Sequence, residues 1–295
     1  MSQKPYVLTV CGGKGGTGKS TVATALSLTL SQRGHSLLLV DLDVDGPSTA
    51  NLLEVSPEAY KEISIFKPTI VKERCLGCGK CVEACQEHAL IHKKGSPPIL
   101  LEDLCSGCTA CLLACPNSAI ERGAKSLGKI LHCKAAENLV LLIGELKPGE
   151  ARSPVAALHT REEAQRLIAA NDFDMVVVDS APGVGNLTAQ ALLMGNEILA
   201  VTEPTPLGLH DLLLILELAE FMGKIAYVVL NKSTIPHGDP VSVKKACGQR
   251  GVEVIAEIPY DLEFLKLQSV KAALRKSRSL REAASLLADF FEARM

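Results

Sequence analysis

Gly13-Lys14-Gly15-Gly16-Thr17-Gly18-Lys19-Ser20 decides the fold. This stretch follows a short apolar run at residues 6–10 and opens residues 20–32, where Val22, Leu26 and Leu30 recur at helical spacing. Strand, glycine-rich loop and helix in that order are the setting in which G-x-x-x-x-G-K-[ST] reads as a phosphate-binding loop. The glycines let successive N–H groups turn inward around phosphate oxygens, and the helix N-terminus adds positive potential. Lys19 is placed to pair with β- and γ-phosphates, and Ser20 to ligate Mg²⁺.

Working outward, residues 36–40 form a second buried run that ends in Asp41-Leu42-Asp43, and residues 175–178 form a third that ends in Asp179. Further strands are expected at residues 197–201, 225–230 and 254–258, with helical stretches between them. Strands alternating with helices predict an α/β fold with a doubly wound, mainly parallel sheet. Between residues 66 and 123 that rhythm breaks, and the segment repeats itself with a period of 30. Gly77 matches Gly107, Ala84 matches Ala114, and Ala89-Leu90 matches Ala119-Ile120, with Gly95-Ser96-Pro97-Pro98 joining the halves. The expected organisation is a nucleotide domain in two segments, 1–65 and 124–295, interrupted by a small α+β module at 66–123.

The repeated feature is a cysteine run: Cys75, Cys78, Cys81, Cys85, then Cys105, Cys108, Cys111, Cys115. Paired C-x-x-C units alone suit zinc as well as iron–sulfur clusters. The third cysteine of each run decides for the C-x-x-C-x-x-C-x-x-x-C pattern that holds a [4Fe–4S] cube, the fourth cysteine ligating the other cube. The two runs, the second followed by Pro116, resemble bacterial two-cluster ferredoxins. That resemblance implies one cube on Cys75, Cys78, Cys81 and Cys115, and another on Cys105, Cys108, Cys111 and Cys85. Gln86 replaces the proline expected after the first run, which alters the turn without removing a ligand. Cys11, Cys133 and Cys247 stand outside both runs and are expected to be buried small apolar residues. The seven histidines show no paired metal spacing.

A chain of 295 residues, 47% hydrophobic and 22% charged, can bury one large domain and a small module. Its net charge of −2 gives no footprint for nucleic acid. The local run Lys271, Arg275, Lys276, Arg278 and Arg281 is expected on a solvated helix face. No segment approaches the roughly 18 consecutive apolar residues of a membrane span, and the start lacks a signal peptide's apolar core. Eleven cysteines then argue for metal ligation in a reducing compartment, and the cytoplasm is the expected location.

The second lysine of the loop, Lys14 in Lys14-Gly-Gly-Thr-Gly-Lys19-Ser20, resembles the deviant phosphate loop of the MinD/ParA superfamily, which includes Mrp-type ATPases and the nitrogenase iron protein. The whole chain resembles a MinD-superfamily ATPase with an inserted ferredoxin domain. The resemblance implies ATP hydrolysis, with Gly13, Gly15, Gly16, Thr17, Gly18, Lys19, Ser20 and Thr21 around the nucleotide. It implies that Lys14 reaches into a partner's active site, so that a homodimer, or a heterodimer with a related ATPase, encloses ATP. It further implies Asp43 as the switch I acid that positions water, Asp179 as the acid near Mg²⁺, and Gly183 as a switch II backbone donor. Asp41 and Asp45 crowd Asp43, and a turn or capping role suits Asp45 equally.

Asn231-Lys232 ends a strand where the superfamily reads the base. Thr234 stands where GTPases carry an aspartate for guanine, so adenine is inferred, with Asn231 its leading contact and the Ile258-Pro259 turn over the ring. The expected activity is ATP-gated electron transfer to a redox partner protein through two [4Fe–4S] clusters. Two other readings follow from the superfamily. An iron–sulfur carrier of the Mrp type would hold its cluster on a late C-x-x-C, but only Cys247 follows Asp179. A MinD/ParA-like positioning switch on a membrane would use a basic amphipathic C-terminal helix. The polar positions of residues 280–295 are Arg281, Glu282, Asp289, Glu292 and Arg294, net −1, so Leu280, Ala283, Ala284, Leu287 and Phe291 are expected to pack inward.

Overall fold

The computed structural model describes residues 4–262, 266–267 and 269–295. The chain forms two compact units, Met1–Lys61 with Lys129–Met295, and Glu62–Gly128. These limits lie a few residues outside 66 and 123, because two long strands, β3 (Glu58–Ile70) and β6 (Ile120–Ala136), run through both boundaries. Neither strand is legible as an apolar run, since charged residues interrupt both.

In the larger unit, β1 (Tyr6–Cys11), β2 (Leu37–Asp41), β7 (Leu139–Leu146), β8 (Met175–Asp179), β9 (Glu197–Thr202), β10 (Ile225–Asn231) and β11 (Glu253–Ile258) form the body of the sheet. Their order is β11-β10-β9-β1-β8-β2-β7, continued by β6 and β3. The pairs from β11 through β7 are parallel. The expected strands are therefore present, and β7 is one that the sequence reading left unassigned.

Alternate residues of one strand feed opposite faces, the mark of a sheet covered on both sides. Leu199, Val201 and Val229 belong to one apolar cluster, and Ile198, Ala200, Val228 and Leu230 to the other. The first cluster contains α1 (Lys19–Gln32) and the C-terminal helices, here α9 (Val270–Lys276) and α10 (Arg278–Glu292). The second contains α7 (Pro206–Phe221) and α8 (Pro240–Gln249). Cys11 and Cys247 are buried there, and Cys133 packs half-buried against the first cluster.

All five residues of the predicted apolar face of α10 are buried, and the helix packs on α1 and β11. Its basic residues are committed locally: Arg278 pairs with Glu282 at 2.6 Å, and Arg281 donates to the carbonyls of Leu274 and Arg275. Among the described residues no helix is long and apolar enough to cross a membrane.

The smaller unit keeps the 30-residue repeat in its backbone. α3 (Lys80–Glu83) corresponds to α4 (Ala110–Ala114), and β4 (Leu90–Ile91) pairs antiparallel with β5 (Ile99–Leu100). Gly79 and Thr109, thirty residues apart, have φ of 79° and 67°, while His88 and Ser118 have 51° and 50°. Thr109, His88 and Ser118 take a left-handed conformation that side chains resist, so the pathway of the chain dictates it. Exposure also repeats: Cys78 and Cys108 are exposed, and Cys81 and Cys111 are buried.

Phe291 is fully buried against Tyr6 and Tyr227, whereas Leu286 on the same helix is 51% exposed. Phe291→Ala is expected to cost about 3–5 kcal/mol of unfolding free energy, and Leu286→Ala no more than about 0.5 kcal/mol, as read by urea titration of helical circular dichroism. Equal losses would refute inward packing of α10.

Candidate functional site

The C-terminal ends of β1, β2 and β8 bring the phosphate loop and the acids together. Strand register sets Asp41 directly opposite Asp179 and Asp179 opposite Val10. The loop that follows β1 carries φ of +81° at Gly16 and +96° at Gly18. A Cβ at Gly18 would also collide with the side-chain amide of Asn231, and one at Gly13 with Asp211. Lys19, Ser20 and Thr21 then open α1, whose N-cap residue Gly18 offers no side-chain acceptor and whose first turn holds no acid. Its first-turn N–H groups and positive helix end are therefore available to an anion.

The acids of the site differ sharply in their partners. Asp41 is fully buried and accepts from the Thr49 hydroxyl at 2.8 Å, from the Ser48 and Thr49 amides at 3.1 and 3.2 Å, and from the Asp43 amide at 3.1 Å. It thus fixes the turn into α2 (Thr49–Leu53). Burial nevertheless pushes it up to about 6. Asp45 accepts from the Ser153 hydroxyl at 2.7 Å, which fastens the same loop to the start of α5 (Ser153–Ala170). Asp43 is half-buried; burial raises its pKa, and the Lys19 ammonium acts against that rise. Of the three clustered aspartates, Asp41 and Asp45 are held by hydroxyls, and Asp43 is the one on which the Lys19 charge acts.

Asp179 is fully buried, and neither carboxylate oxygen has a partner at hydrogen-bond distance. Burial raises its pKa well above the ordinary carboxylate value and the Asp41 charge adds to this, while the Ser20 hydroxyl and Lys19 favour its ionised form. An orphaned buried carboxylate beside a phosphate-loop serine has the chemistry of a hard-cation site, and Ser20 with Asp179 fits Mg²⁺.

Three other predicted residues make bonds that the sequence did not reveal. Lys14 forms an ion pair within its own chain, with Glu203. Gly183, at φ +90°, donates its N–H to the Gly12 carbonyl at 3.1 Å, so that donor is engaged with the loop. Asn231 donates through Nδ2 to the Thr17 carbonyl at 2.7 Å and accepts from the Lys232 amide at 2.9 Å. Its side chain therefore braces the loop at the mouth of a cavity. Gly16, Gly18, Thr21, Asn231, Ile258, Pro259 and Tyr260 line that cavity, where the superfamily resemblance put the base. Thr234 holds the far wall by accepting from the Tyr260 amide at 3.0 Å.

Glu203 is the residue that sequence reasoning missed. Its side chain is only 8% exposed and pairs with both Lys14 and Lys232, the latter at 3.0 Å. Lys232 also donates to the Gly16 carbonyl at 2.8 Å, and Lys19 Nζ to the Lys14 carbonyl at 3.3 Å. Burial alone would raise the Glu203 carboxyl; the two ammonium groups overcome it and hold it below the usual value. The signal was a charged residue directly after β9, but its lysine partners lie elsewhere in the sequence.

In the smaller unit, one hollow is lined by Cys75, Cys78, Cys81 and Cys115, and a second by Cys85, Cys105, Cys108 and Cys111. Cys85 Sγ accepts from the Ala89 amide at 3.3 Å and Cys115 Sγ from the Ala119 amide at 3.2 Å. Burial, with the charges of Cys115 and Cys75, raises the Cys81 thiol; burial, with those of Cys105, Cys108 and Cys85, pushes Cys111 up to about 11. Thiols that oppose one another's ionisation suit a cationic centre, which removes the penalty. Among the described residues no three His, Cys, Asp or Glu side chains converge closely enough for a single metal ion. The four cysteines around each hollow supply a set of soft thiolate donors.

A parallel sheet with a phosphate loop at the end of its first strand and buried acids beside it defines a P-loop nucleotide-binding protein. The chain belongs to the CobQ/CobB/MinD/ParA nucleotide binding domain family, whose model matches residues 8–273. An uncharacterized Methanocaldococcus jannaschii protein, MJ0578, is 28% identical over 96% of each chain. A cytosolic Fe-S cluster assembly factor NUBP2 homolog of Culex quinquefasciatus is 52% identical over 48 residues, 16% of this chain and 19% of that protein. The fold is similar to that of the Pyrococcus furiosus cell division ATPase MinD, with a TM-score of 0.59 at 20% identity over 98% of this chain and 99% of that one.

Removing the Asp179 charge tests the electrostatics of the site. A carboxyl raised in the folded state destabilises the fold as pH climbs from its unfolded value through its folded value. Asp179→Asn is therefore expected to raise the melting temperature of the nucleotide-free protein at about pH 8, with the gap closing near about pH 4, where the wild-type carboxyl is protonated when folded. A pH-independent gap in differential scanning fluorimetry would count against a buried, uncompensated charge.

Proposed function

We propose that the chain is a Mg-ATP-hydrolysing iron–sulfur protein in which a nucleotide-dependent dimer rearrangement is coupled to electron transfer to a redox partner. The observation that carries this reading is the grouping of the cysteines: each hollow gathers three from one repeat and the fourth from the other. It is joined in one chain to a complete phosphate loop with an orphaned buried acid.

The loop amides and Lys19 bind the β- and γ-phosphates, and Ser20 and Asp179 would hold Mg²⁺. Asp43, the one of the three clustered aspartates that feels the Lys19 charge, accepts a hydrogen bond from the attacking water and orients it toward the γ-phosphate. Lys14 crosses to the nucleotide of the second subunit, so the catalytic set is complete only in a dimer. Cys75, Cys78, Cys81 and Cys115 would hold one [4Fe–4S] cluster, and Cys85, Cys105, Cys108 and Cys111 the other. Bound there, such clusters supply one-electron carriers. The amides of Ala89 and Ala119, donating to Cys85 and Cys115 sulfurs, favour the anionic thiolate and so help set the potential.

An iron–sulfur carrier of the Mrp type is the second reading, supported by the short NUBP2-like segment. Against it, Cys247 is the sole cysteine after Asp179, and it is buried in the core. Retention of the clusters in the presence of an apo-acceptor separates the two readings.

Protein purified without oxygen is expected to contain about eight iron atoms per chain. Cys81→Ser and Cys115→Ser, although they lie in different repeats, should deplete the same cluster signal in electron paramagnetic resonance. Lys19→Ala and Asp43→Asn should each lower ATP turnover about 10²-fold or more, with Asp43→Asn retaining nucleotide binding. ATP is expected to shift the reduction potentials or the rate of electron delivery to a viologen acceptor. Equal potentials and equal rates with and without ATP would overturn the coupling.

A further inference from the structure

Glu203 stands at the end of β9, just before Thr205 caps α7 by accepting from the Gly208 amide. Its carboxylate is a single buried acceptor for two lysines that serve different parts of the site: Lys14 in the phosphate loop and Lys232 beside the base cavity. Lys232 is further tied to the loop through Gly16, and it follows Asn231, which is tied to Thr17. Two ammonium groups against one carboxylate leave a positive charge for an anion. They also leave Lys14 engaged within its own subunit.

We propose that Glu203 is the resident counter-ion of Lys14 in the nucleotide-free chain, a positioning residue that competes with nucleotide phosphate for this lysine and so sets the ATP concentration at which the dimer closes. This rests on the reading that Lys14 acts across a dimer interface. The competition is electrostatic and local. A lysine held by a nearly buried carboxylate must give up that ion pair before it reaches a phosphate oxygen, so the pair opposes closure by its own strength. Lys232, with the Gly16 carbonyl as a second acceptor, stays in place when Glu203 loses its charge. The two lysines are therefore separable by experiment.

Glu203→Gln keeps the shape and a hydrogen-bonding oxygen but removes the charge. In the nucleotide-free protein, mild acylation followed by mass spectrometry should show Lys14 labelled several-fold faster in Glu203→Gln than in wild type, with the labelling of an exposed lysine such as Lys244 unchanged. Sedimentation across an ATP titration should show the dimer forming at a several-fold lower ATP concentration in this variant. Glu203→Asp should fall between the two, and Lys14→Ala should abolish the effect of Glu203→Gln. A merely structural role would move the readings the other way, lowering the melting temperature and weakening nucleotide binding. Unchanged Lys14 labelling overturns the proposal, as does an unchanged ATP midpoint in a protein whose wild type dimerises. If the wild type stays monomeric at saturating ATP, the dimer reading falls, and Lys14 labelling alone decides for or against Glu203 as its counter-ion.

Discussion

The side-by-side placement of Asp41 and Asp179, both fully buried, is the constraint around which the nucleotide unit is organised. Two carboxylates on adjacent parallel strands repel each other in a medium that solvates neither. The fold meets this unequally. Asp41 receives four hydrogen bonds from the turn into α2, which makes it a fixture of the backbone; Asp179 receives none by geometry and relies on Lys19 and Ser20 nearby. The phosphate loop, whose lysine and serine those are, is thus electrostatically incomplete without a cation and an anion. A site that is unsatisfied when empty gains most when filled, and the gain appears as ligand-dependent stability.

The two faces of the sheet explain why so much of the larger unit was legible. Apolar runs at β1, β2, β8, β9 and β10 are buried on both sides, so their composition alone announces them, and the acids or glycines at their C-terminal ends announce the site. β3 and β6 escaped because charged residues such as Lys61, Glu121, Arg122 and Lys129 break their apolar pattern. Leu127 and Ile130 are nonetheless fully buried. β7 was an adequate apolar run without a motif after it, so nothing separated it from a buried helix segment.

Side-chain pairing within the site was illegible for a different reason. Asp41, Asp43 and Asp45 are separated by single residues, and no local rule ranks them; Thr49 and Ser153 do so through contacts formed only in the fold. Glu203 is separated from Lys14 by most of the chain, yet the strand order β9-β1 brings their elements side by side. Asn231 was expected to face a base and is found bracing the loop through Thr17. Asn231 does line a cavity, but the sequence could not weigh a backbone carbonyl as its partner.

The cysteine hollows were the most legible feature, because a duplicated sequence must fold into equivalent halves. Their composition carries a consequence for stability as well as for ligation. Since each hollow draws its fourth sulfur from the opposite repeat, neither half can complete a site alone. The left-handed backbone at Thr109, His88 and Ser118 is imposed on residues that resist it, and its recurrence at Gly79 and across the repeat ties it to the pathway around the hollows. Conformational strain retained at such positions requires compensating interactions. The apolar cluster that packs with the cysteines is small: among the described residues its buried members are Leu90 and Ile120 with Cys81 and Cys111. A unit this small draws only modest stability from apolar burial. On the proposed reading that the hollows hold clusters, metal–thiolate bonds crossing from one repeat to the other would join the two halves into one cooperative fold.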